Sequence, residues 1–174
     1  MEKHLFDLYL VLYLLGHIIR ATYERSIKLN AEPEKKSWMI ITTAAGMFFL
    51  WTGFFGMAPV DPLKFNLSPL ARNVGILMTL LGMLLFLGTV IQLRGFVVKG
   101  PLKTSWFFAK LRHPMYTGFL LWLIGWPVYH GALLSFIVGL FTTGLVLTWR
   151  RAEEKELIEE YGDTYKSYQS RTWF

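Results

Sequence analysis

Residues 115–149 read MYTGFLLWLIGWPVYHGALLSFIVGLFTTGLVLTW, and His130 is the only side chain among them that can carry charge near neutral pH. As a single helix this stretch would be about 52 Å long at 1.5 Å per residue, far more than the roughly 30 Å hydrocarbon core of a bilayer. It must therefore fold back on itself. GWPVYHG at residues 125–131 predicts the break, because Pro127 removes a backbone donor and the flanking glycines allow a turn. The pattern predicts two antiparallel helices, the first of them short.

Three further apolar runs precede this hairpin. Residues 37–60 and 73–93 contain no charged side chain, and each is long enough to cross a bilayer as a helix. Residues 5–21 form a weaker run, because Asp7 and His17 interrupt it. The prolines between residues 59 and 69 predict a short ordered loop between the second and third helices. Together with the hairpin, the pattern predicts a single membrane domain, all-α, with five transmembrane helices.

The charged residues predict how these helices are oriented. If residues 22–36, 94–114 and 150–174 share one side with Arg20, that side carries 15 of the 18 Lys and Arg residues. A single span at residues 115–149 would instead divide them 10 against 8. Cytosolic flanks of membrane spans are enriched in Lys and Arg, so five helices are favoured. This predicts an integral membrane protein with its N-terminus outside and its C-terminal tail in the cytosol.

The composition excludes several kinds of chemistry. The chain has no cysteine, so it has neither a disulfide framework nor a thiolate nucleophile or metal ligand, and we predict no metal site. A hydrophobic content of 53% is more than a soluble core of this size requires. The net charge of +6 lies in clusters beside apolar runs rather than on one basic face, so nucleic-acid binding is not expected.

A first polar cluster, RHPMYTG at residues 112–118, lies at the start of the predicted fourth helix. Pro114 suits the first turn of a helix, where its missing N–H costs nothing. Arg112 and His113 then lie beside free backbone N–H groups, which favour an anion such as a carboxylate. The simpler alternative is interfacial anchoring, with Tyr116 in the aromatic belt of the membrane.

A second polar cluster, RRAEEKELIEEYGDTY at residues 150–165, continues the predicted fifth helix. Its apolar stripe can lie on the membrane surface, which predicts an amphipathic C-terminal helix on the cytosolic side. Gly162 is expected to end this helix, and Asp163 or Thr164 to cap the next one. Residues 159–160 fit a solvated face.

Glu153 and Glu154 do not fit a solvated face in the same way. Adjacent carboxylates at the mouth of a membrane span repel each other, and they are costly there without a cationic or hydrogen-bonding partner. Arg150 is one such partner for Glu154, because it lies one helical turn earlier. We therefore predict that this Glu pair belongs to a site.

Taken together, RHPxYxG at residues 112–118 and EExxLxxxYGxxYxxY at residues 153–168 resemble the superfamily of isoprenylcysteine carboxyl methyltransferases and phospholipid N-methyltransferases. The resemblance does not extend to the first two helices. It implies that residues 94–174 form a binding region for S-adenosylmethionine. The implied cofactor-binding residues are His113, Pro114, Tyr116, Gly118, Glu153 and Glu154. The longer loop between Gly100 and Arg112 departs from the family pattern, and the acceptor therefore stays open.

Such a methyltransferase must hold donor and acceptor about 3 to 3.5 Å apart, in line and away from water. A carboxylate acceptor needs no deprotonation, and Arg112 or Arg150 is the candidate to position it. A lipid amine needs a base, for which Glu154 or His113 is the candidate. The expected acceptor is a lipophilic small molecule or a lipid-anchored group that enters from the bilayer, while the cofactor comes from the cytosol. The oligomeric state is not predicted.

Two alternatives belong to other functional classes. Sterol reductases are distant relatives of the same superfamily with a similar hairpin, but they use a nicotinamide cofactor and are much larger. A non-catalytic membrane carrier or scaffold is the other alternative. A carrier is expected to have ionisable groups near the middle of the membrane, and beyond Asp7 and His17 the spans contain almost none.

Overall fold

The computed structural model describes residues 2–29, 37–93 and 101–174. Within these ranges the regular secondary structure is helical, as the sequence predicts, with six α-helices and one short 3-10 helix at Trp106–Ala109. The α-helices are α1 Glu2–Leu29, α2 Ser37–Met57, α3 Pro69–Leu93, α4 Pro114–His130, α5 Leu133–Tyr161 and α6 Asp163–Ser170.

Three helices in the described part of the chain are long and apolar enough to cross a membrane, namely Lys3–Thr22 within α1, Pro69–Leu93 and Leu133–Tyr161. The described apolar part of α2, Ala44–Met57, is shorter. The 17 residues of α4 correspond to only about 25 Å of helix. Large apolar side chains of α3, such as Leu70 and Ile91, are exposed, which suits a surface in contact with lipid. This is the character of a multi-pass membrane protein, whereas the count of five spans and their orientation stay predictions.

The helical hairpin is present, but its break is narrower than the sequence predicts. Pro127 lies inside α4, which continues to His130. The chain reverses at Gly131, whose φ of +59° is in the left-handed region that a residue with a Cβ rarely adopts. The expectation that Pro127 breaks the helix is therefore wrong.

The described chain divides into two compact units, residues 1–65 with 130–135 and residues 66–129 with 136–174. In the first unit α1 and α2 approach closely at glycines. A Cβ on Gly16 would lie 2.5 Å from the backbone nitrogen of Leu50, and a Cβ on Gly53 would lie 2.5 Å from that of Tyr13. Such contacts between small residues are typical of helices packed in a membrane.

The loop after α2 is ordered, as predicted, and it caps the start of α5. Asp61 is 2% exposed, and its carboxylate accepts hydrogen bonds of 2.7 Å from both the N–H and the hydroxyl of Ser135. The N–H of Leu63 donates a third bond to the same side chain at 2.9 Å. A buried carboxylate at a helix N-terminus is thereby satisfied, which holds the loop to the beginning of α5.

In the second unit, α3 packs against α4 through a similar set of glycines. A Cβ on Gly118 would lie 2.6 Å from the carbonyl oxygen of Gly82, and a Cβ on Gly125 would lie 2.6 Å from that of Gly75. Phe86 of α3 adds aromatic contact with α4. This packing fixes the position of α4 and so of the residues that precede it.

The end of α5 also differs in detail from the prediction. Gly162 ends the helix with a φ of +56°, as expected. Gly162 itself occupies the N-cap position of α6, so neither Asp163 nor Thr164 caps that helix. Asp163 instead lies in its first turn, where a negative charge is favourable.

Candidate functional site

A buried charged cluster joins the start of α4 to the end of α5. Arg112 Nε donates a hydrogen bond of 2.9 Å to Glu154 Oε1, and His113 Nε2 lies 3.3 Å from the same oxygen. Arg150 Nη2 lies 3.6 Å from Glu154 Oε2. The side chains of Arg112 and Glu154 are only 11% and 13% exposed. Glu154 therefore has the cationic partners that its position in the sequence requires.

Local sequence explains how these side chains reach one place. Pro114 is buried and is the first residue of α4, so Arg112 and His113 immediately precede the helix. Arg150 and Glu154 are at i,i+4 on α5 and share one face of it. Because the helices of a hairpin are antiparallel, the beginning of the first meets the end of the second.

The C-terminal segment after α6 completes the cluster. Arg112 Nη1 donates hydrogen bonds to the carbonyl oxygens of Gln169 at 3.2 Å and Thr172 at 2.7 Å. The backbone N–H groups of Arg112 and His113 donate to the backbone oxygen of Phe174 at 3.0 Å and 3.1 Å. The positions at which the sequence suggested an anion are thus occupied by backbone oxygens.

The ring of Phe174 also contacts the cluster. The guanidinium carbon of Arg150 lies 4.4 Å from the centre of this ring, within the range of a cation–π interaction. The C-terminal segment therefore contacts two cationic side chains, one just before the start of α4 and one near the end of α5. It belongs structurally to the candidate site.

His113 is buried and neutral at pH 7. Burial lowers the pKa of His113 from its ordinary value of 6.5 to about 4; Glu154 opposes this shift, while Arg150 and Arg112 reinforce it. A neutral imidazole carries one proton, and the contact of Nε2 with the Glu154 carboxylate assigns that proton to Nε2. The interaction is then a hydrogen bond rather than an ion pair, and Nδ1 is left without a proton.

Glu153 is the more accessible acid of the pair. Its side chain is 38% exposed, and its Oε2 lies 3.8 Å from His113 Nδ1. It also accepts a hydrogen bond from the Tyr116 side chain. The ring of Tyr116 stacks on that of His113 with a centroid distance of 5.5 Å. A cationic group of a ligand could therefore reach Glu153 more easily than Glu154.

The structure brings six of the candidate residues together, namely Arg112, His113, Tyr116, Arg150, Glu153 and Glu154. Pro114 begins the helix that carries them. Gly118 is buried against Gly82 of α3, where it permits close helix packing. Across the described ranges, no three His, Asp or Glu residues are placed to bind a metal ion.

Several residues of the cluster had no assigned role in the sequence. Tyr165 and Tyr168 were part of the motif, and both are buried on α6. Burial raises the pKa of Tyr165 to about 12, and the negative charge of Glu154 adds to the shift. The i,i+3 spacing of these two tyrosines places them on one helix face, and this was the sequence signal that both would be buried together. Gln169 and Thr172 act through backbone carbonyls, which every residue type carries, so no residue pattern could identify them.

The chain is similar both to individual curated methyltransferases and to a protein family. A methanethiol S-methyltransferase of Pseudomonas sp. (strain GM41(2012)) is 34% identical over 71 residues, which are 41% of this chain and 26% of that protein. A methanethiol S-methyltransferase of Pseudomonas deceptionensis is 33% identical over 72 residues, which are 41% and 27% of the two chains. The aligned part thus spans about a quarter of these curated relatives.

No solved structure matches the chain. The family described as NnrU protein matches residues 5–168, which include most of α1, α2 to α5 and most of α6. Because this match covers nearly the whole sequence and includes the charged cluster, the chain belongs to the NnrU protein family.

Proposed function

We propose that this protein is a membrane methyltransferase that transfers the methyl group of S-adenosylmethionine to a lipophilic acceptor. The observation that carries the proposal is the Glu154 carboxylate, held by Arg112, Arg150 and His113 at the junction of α4 and α5. Arg112, His113 and Glu154 are among the residues through which the chain resembles the isoprenylcysteine and phospholipid methyltransferases. The partial similarity to methanethiol S-methyltransferases supports the same reaction class.

The residues of the cluster fit the cofactor. When bound, S-adenosylmethionine supplies an electrophilic methyl group on a cationic sulfur. Glu153 would bind the ammonium group of its amino acid end, because it is the exposed carboxylate of the pair. Arg112 and His113 keep Glu154 in a fixed position. Arg112 and Glu154 are largely buried, which limits the access of water and favours an in-line displacement.

The same contacts argue against strong acid–base chemistry. Glu154 is surrounded by Arg112, Arg150 and His113, so its carboxylate is stabilised as an anion and is a poor base. His113, with a pKa of about 4, is also a weak base at pH 7. The cluster is better suited to binding and orientation. We therefore favour an acceptor that is already ionised near pH 7, such as a carboxylate, over a protonated lipid amine.

Arg112 has a different role in this proposal from the one that its sequence position suggested. Its Nε and Nη1 atoms already bond Glu154 and the carbonyl oxygens of Gln169 and Thr172. It positions the carboxylate and the C-terminal segment instead of holding an acceptor. Arg150, which contacts Glu154 at the longer distance of 3.6 Å, is the better candidate for direct ligand contact.

Calorimetry on the detergent-purified full chain tests the proposal. S-adenosylmethionine, S-adenosylhomocysteine and a nicotinamide dinucleotide are titrated in parallel. Binding of the two S-adenosyl compounds is expected. A response to the dinucleotide alone favours the reductase, and no response to any ligand favours a carrier or scaffold; either result contradicts the proposal. Transfer of labelled methyl to an isoprenylcysteine analogue, a lipid amine or a small thiol then identifies the acceptor class.

Substitution of Glu154 tests whether the cluster is the binding site. Glu154→Gln removes a charge-assisted interaction worth about 1.5 to 3 kcal/mol, and should weaken S-adenosylhomocysteine binding roughly tenfold to more than a hundredfold. The protein should still be monodisperse in detergent. Glu160→Gln is the matched control, because Glu160 is exposed on the same helix. Equal, small effects of both substitutions would remove the Glu pair from the site.

A further inference from the structure

Trp173 and Phe174 form a short strap that lies against the charged cluster. The N–H of Trp173 donates to the carbonyl oxygen of Lys110 at 2.7 Å, and the N–H of Arg112 donates to the backbone oxygen of Trp173 at 2.9 Å. The centre of the Phe174 ring lies 4.4 Å from the guanidinium carbon of Arg150. The strap therefore contacts both the segment before α4 and the end of α5.

The strap covers the residue that is the best candidate for direct ligand contact. The side chain of Arg150 is only 21% exposed, and its Nη2 lies 3.6 Å from Glu154 Oε2. The ring of Phe174 lies over its guanidinium. The backbone oxygen of Phe174 also accepts bonds of 3.0 Å and 3.1 Å from the N–H groups of Arg112 and His113. A ligand can contact the ring-covered face of Arg150 only after Phe174 has moved.

The segment before the strap is held more firmly than the strap itself. Thr172 is buried, its hydroxyl donates to the carbonyl oxygen of Tyr168 at 2.6 Å, and its own carbonyl accepts a bond of 2.7 Å from Arg112. Trp173, by contrast, is 77% exposed, so its side chain adds little apolar burial. Phe174 has a φ of +33°, in a region that a residue with a Cβ rarely adopts. This strain favours release of residues 173–174 while Thr172 stays in place.

We infer that the strap is a gate, which closes over Arg150 in this structure and must open for an S-adenosyl compound to contact that side chain. The inference rests on the proposed function and adds a conformational step to it. If only molecules with an open strap bind, the apparent affinity is reduced in proportion to the fraction that is open. A change that loosens the strap then strengthens binding, and a change that locks it weakens binding.

Phe174→Ala loosens the strap, because it removes the ring from Arg150. Calorimetry on the detergent-purified full chain should show tighter binding of S-adenosylhomocysteine, by about twofold to thirtyfold, the range that corresponds to one cation–π contact. The Tm without added ligand should be equal or lower, whereas a merely structural role would weaken binding as well. Trp173→Ala is the matched control, because it removes an exposed neighbouring side chain and keeps the backbone bonds. Its affinity should equal that of the wild type.

A disulfide locks the strap. Leu111 and Trp173 are partners in a parallel bridge, and the chain has no cysteine of its own. Paired chains lie about 4.8 Å apart, within the Cα separation of roughly 4.4 to 6.8 Å that a disulfide spans. Oxidation of the Leu111→Cys/Trp173→Cys variant should weaken S-adenosylhomocysteine binding more than about tenfold, and reduction should restore it. Each single-cysteine variant should be insensitive to the oxidant.

The outcomes separate this inference from the proposed function. Equal affinity of the oxidised and reduced double variant, with the disulfide verified by loss of free thiol, overturns the gate alone. Equal or weaker binding by Phe174→Ala than by the wild type also overturns it, and this comparison decides if the disulfide does not form. If neither the wild type nor Phe174→Ala binds an S-adenosyl compound, the proposed function is wrong and the inference with it.

Discussion

Arg112 Nε lies 2.9 Å from Glu154 Oε1, and this contact joins residues 42 positions apart in the chain. The same guanidinium donates through Nη1 to the carbonyl oxygen of Thr172. One side chain thus connects the start of α4, the end of α5 and the C-terminal segment. Because both partners are largely buried, the pair is screened little by water, and removal of Glu154 would leave the buried Arg112 without its carboxylate. The contact explains why the two sequence motifs occur together.

Gly118→Ala should destabilise the protein through helix packing. Its Cβ would lie 2.6 Å from the carbonyl oxygen of Gly82 and 3.1 Å from the backbone nitrogen of Phe86. Forcing α3 and α4 apart should cost about 1 to 3 kcal/mol, which a thermal-unfolding measurement in detergent detects as a lower Tm. The control is Gly144→Ala, where a Cβ meets nothing within 4 Å. Weaker S-adenosylhomocysteine binding at an unchanged Tm would instead assign Gly118 to the cofactor.

The stability of the protein should fall as the pH drops from about 6.5 to about 4. In this window the unfolded chain protonates His113, whereas the folded protein, with its lowered pKa of about 4, does not. The contribution of His113 to the free energy of unfolding is therefore complete above pH 6.5. It is lost on acidification, by roughly 3 kcal/mol for the full shift in pKa.

Thermal unfolding of the wild type and two variants, near pH 7 and near pH 5, checks this prediction. His113→Gln should reduce the difference in Tm between the two conditions. His4→Gln should retain it, because His4 is exposed. If His113→Gln has the same pH dependence as the wild type, other groups are responsible.

Single cysteines test the predicted orientation and the number of spans. The chain has no natural cysteine, so each introduced thiol is labelled alone. Cysteines at position 170 and at position 30, which lies outside the described residues, should react only from the cytosolic side. A cysteine at position 66 should react only from the outside. Labelling of positions 30 and 170 from opposite sides would favour four spans.

The hairpin shows how far sequence reasoning extends along α4 and α5. Its existence follows from the charge-free length of residues 115–149, which no single span can accommodate. The position of the break could not be predicted from the sequence. A proline ordinarily ends or kinks a helix, but Pro127 lies inside α4. α3 packs on α4 at both Gly125 and Tyr129, on either side of the proline. These contacts hold the helix together until Gly131.

Features that depend on spacing along the chain follow from the amino-acid sequence alone. Apolar runs fix the helices, and the i,i+4 spacing of Arg150 and Glu154 places them on one helix face. The residues that distinguish the candidate site were also recognisable, because charges beside a membrane span need partners.

The pairing of those residues follows from the fold and not from their spacing. In the folded chain Glu154 pairs with Arg112 and His113, and Gly118 packs against α3. The hydroxyl of Tyr165 has no hydrogen-bond partner among the described residues. The fold also brings the backbone oxygens of residues 172–174 to Arg112 and His113. These contacts arise from helix packing and from the path of the backbone. Backbone carbonyls are the same in every residue, so the amino-acid pattern carries no record of them.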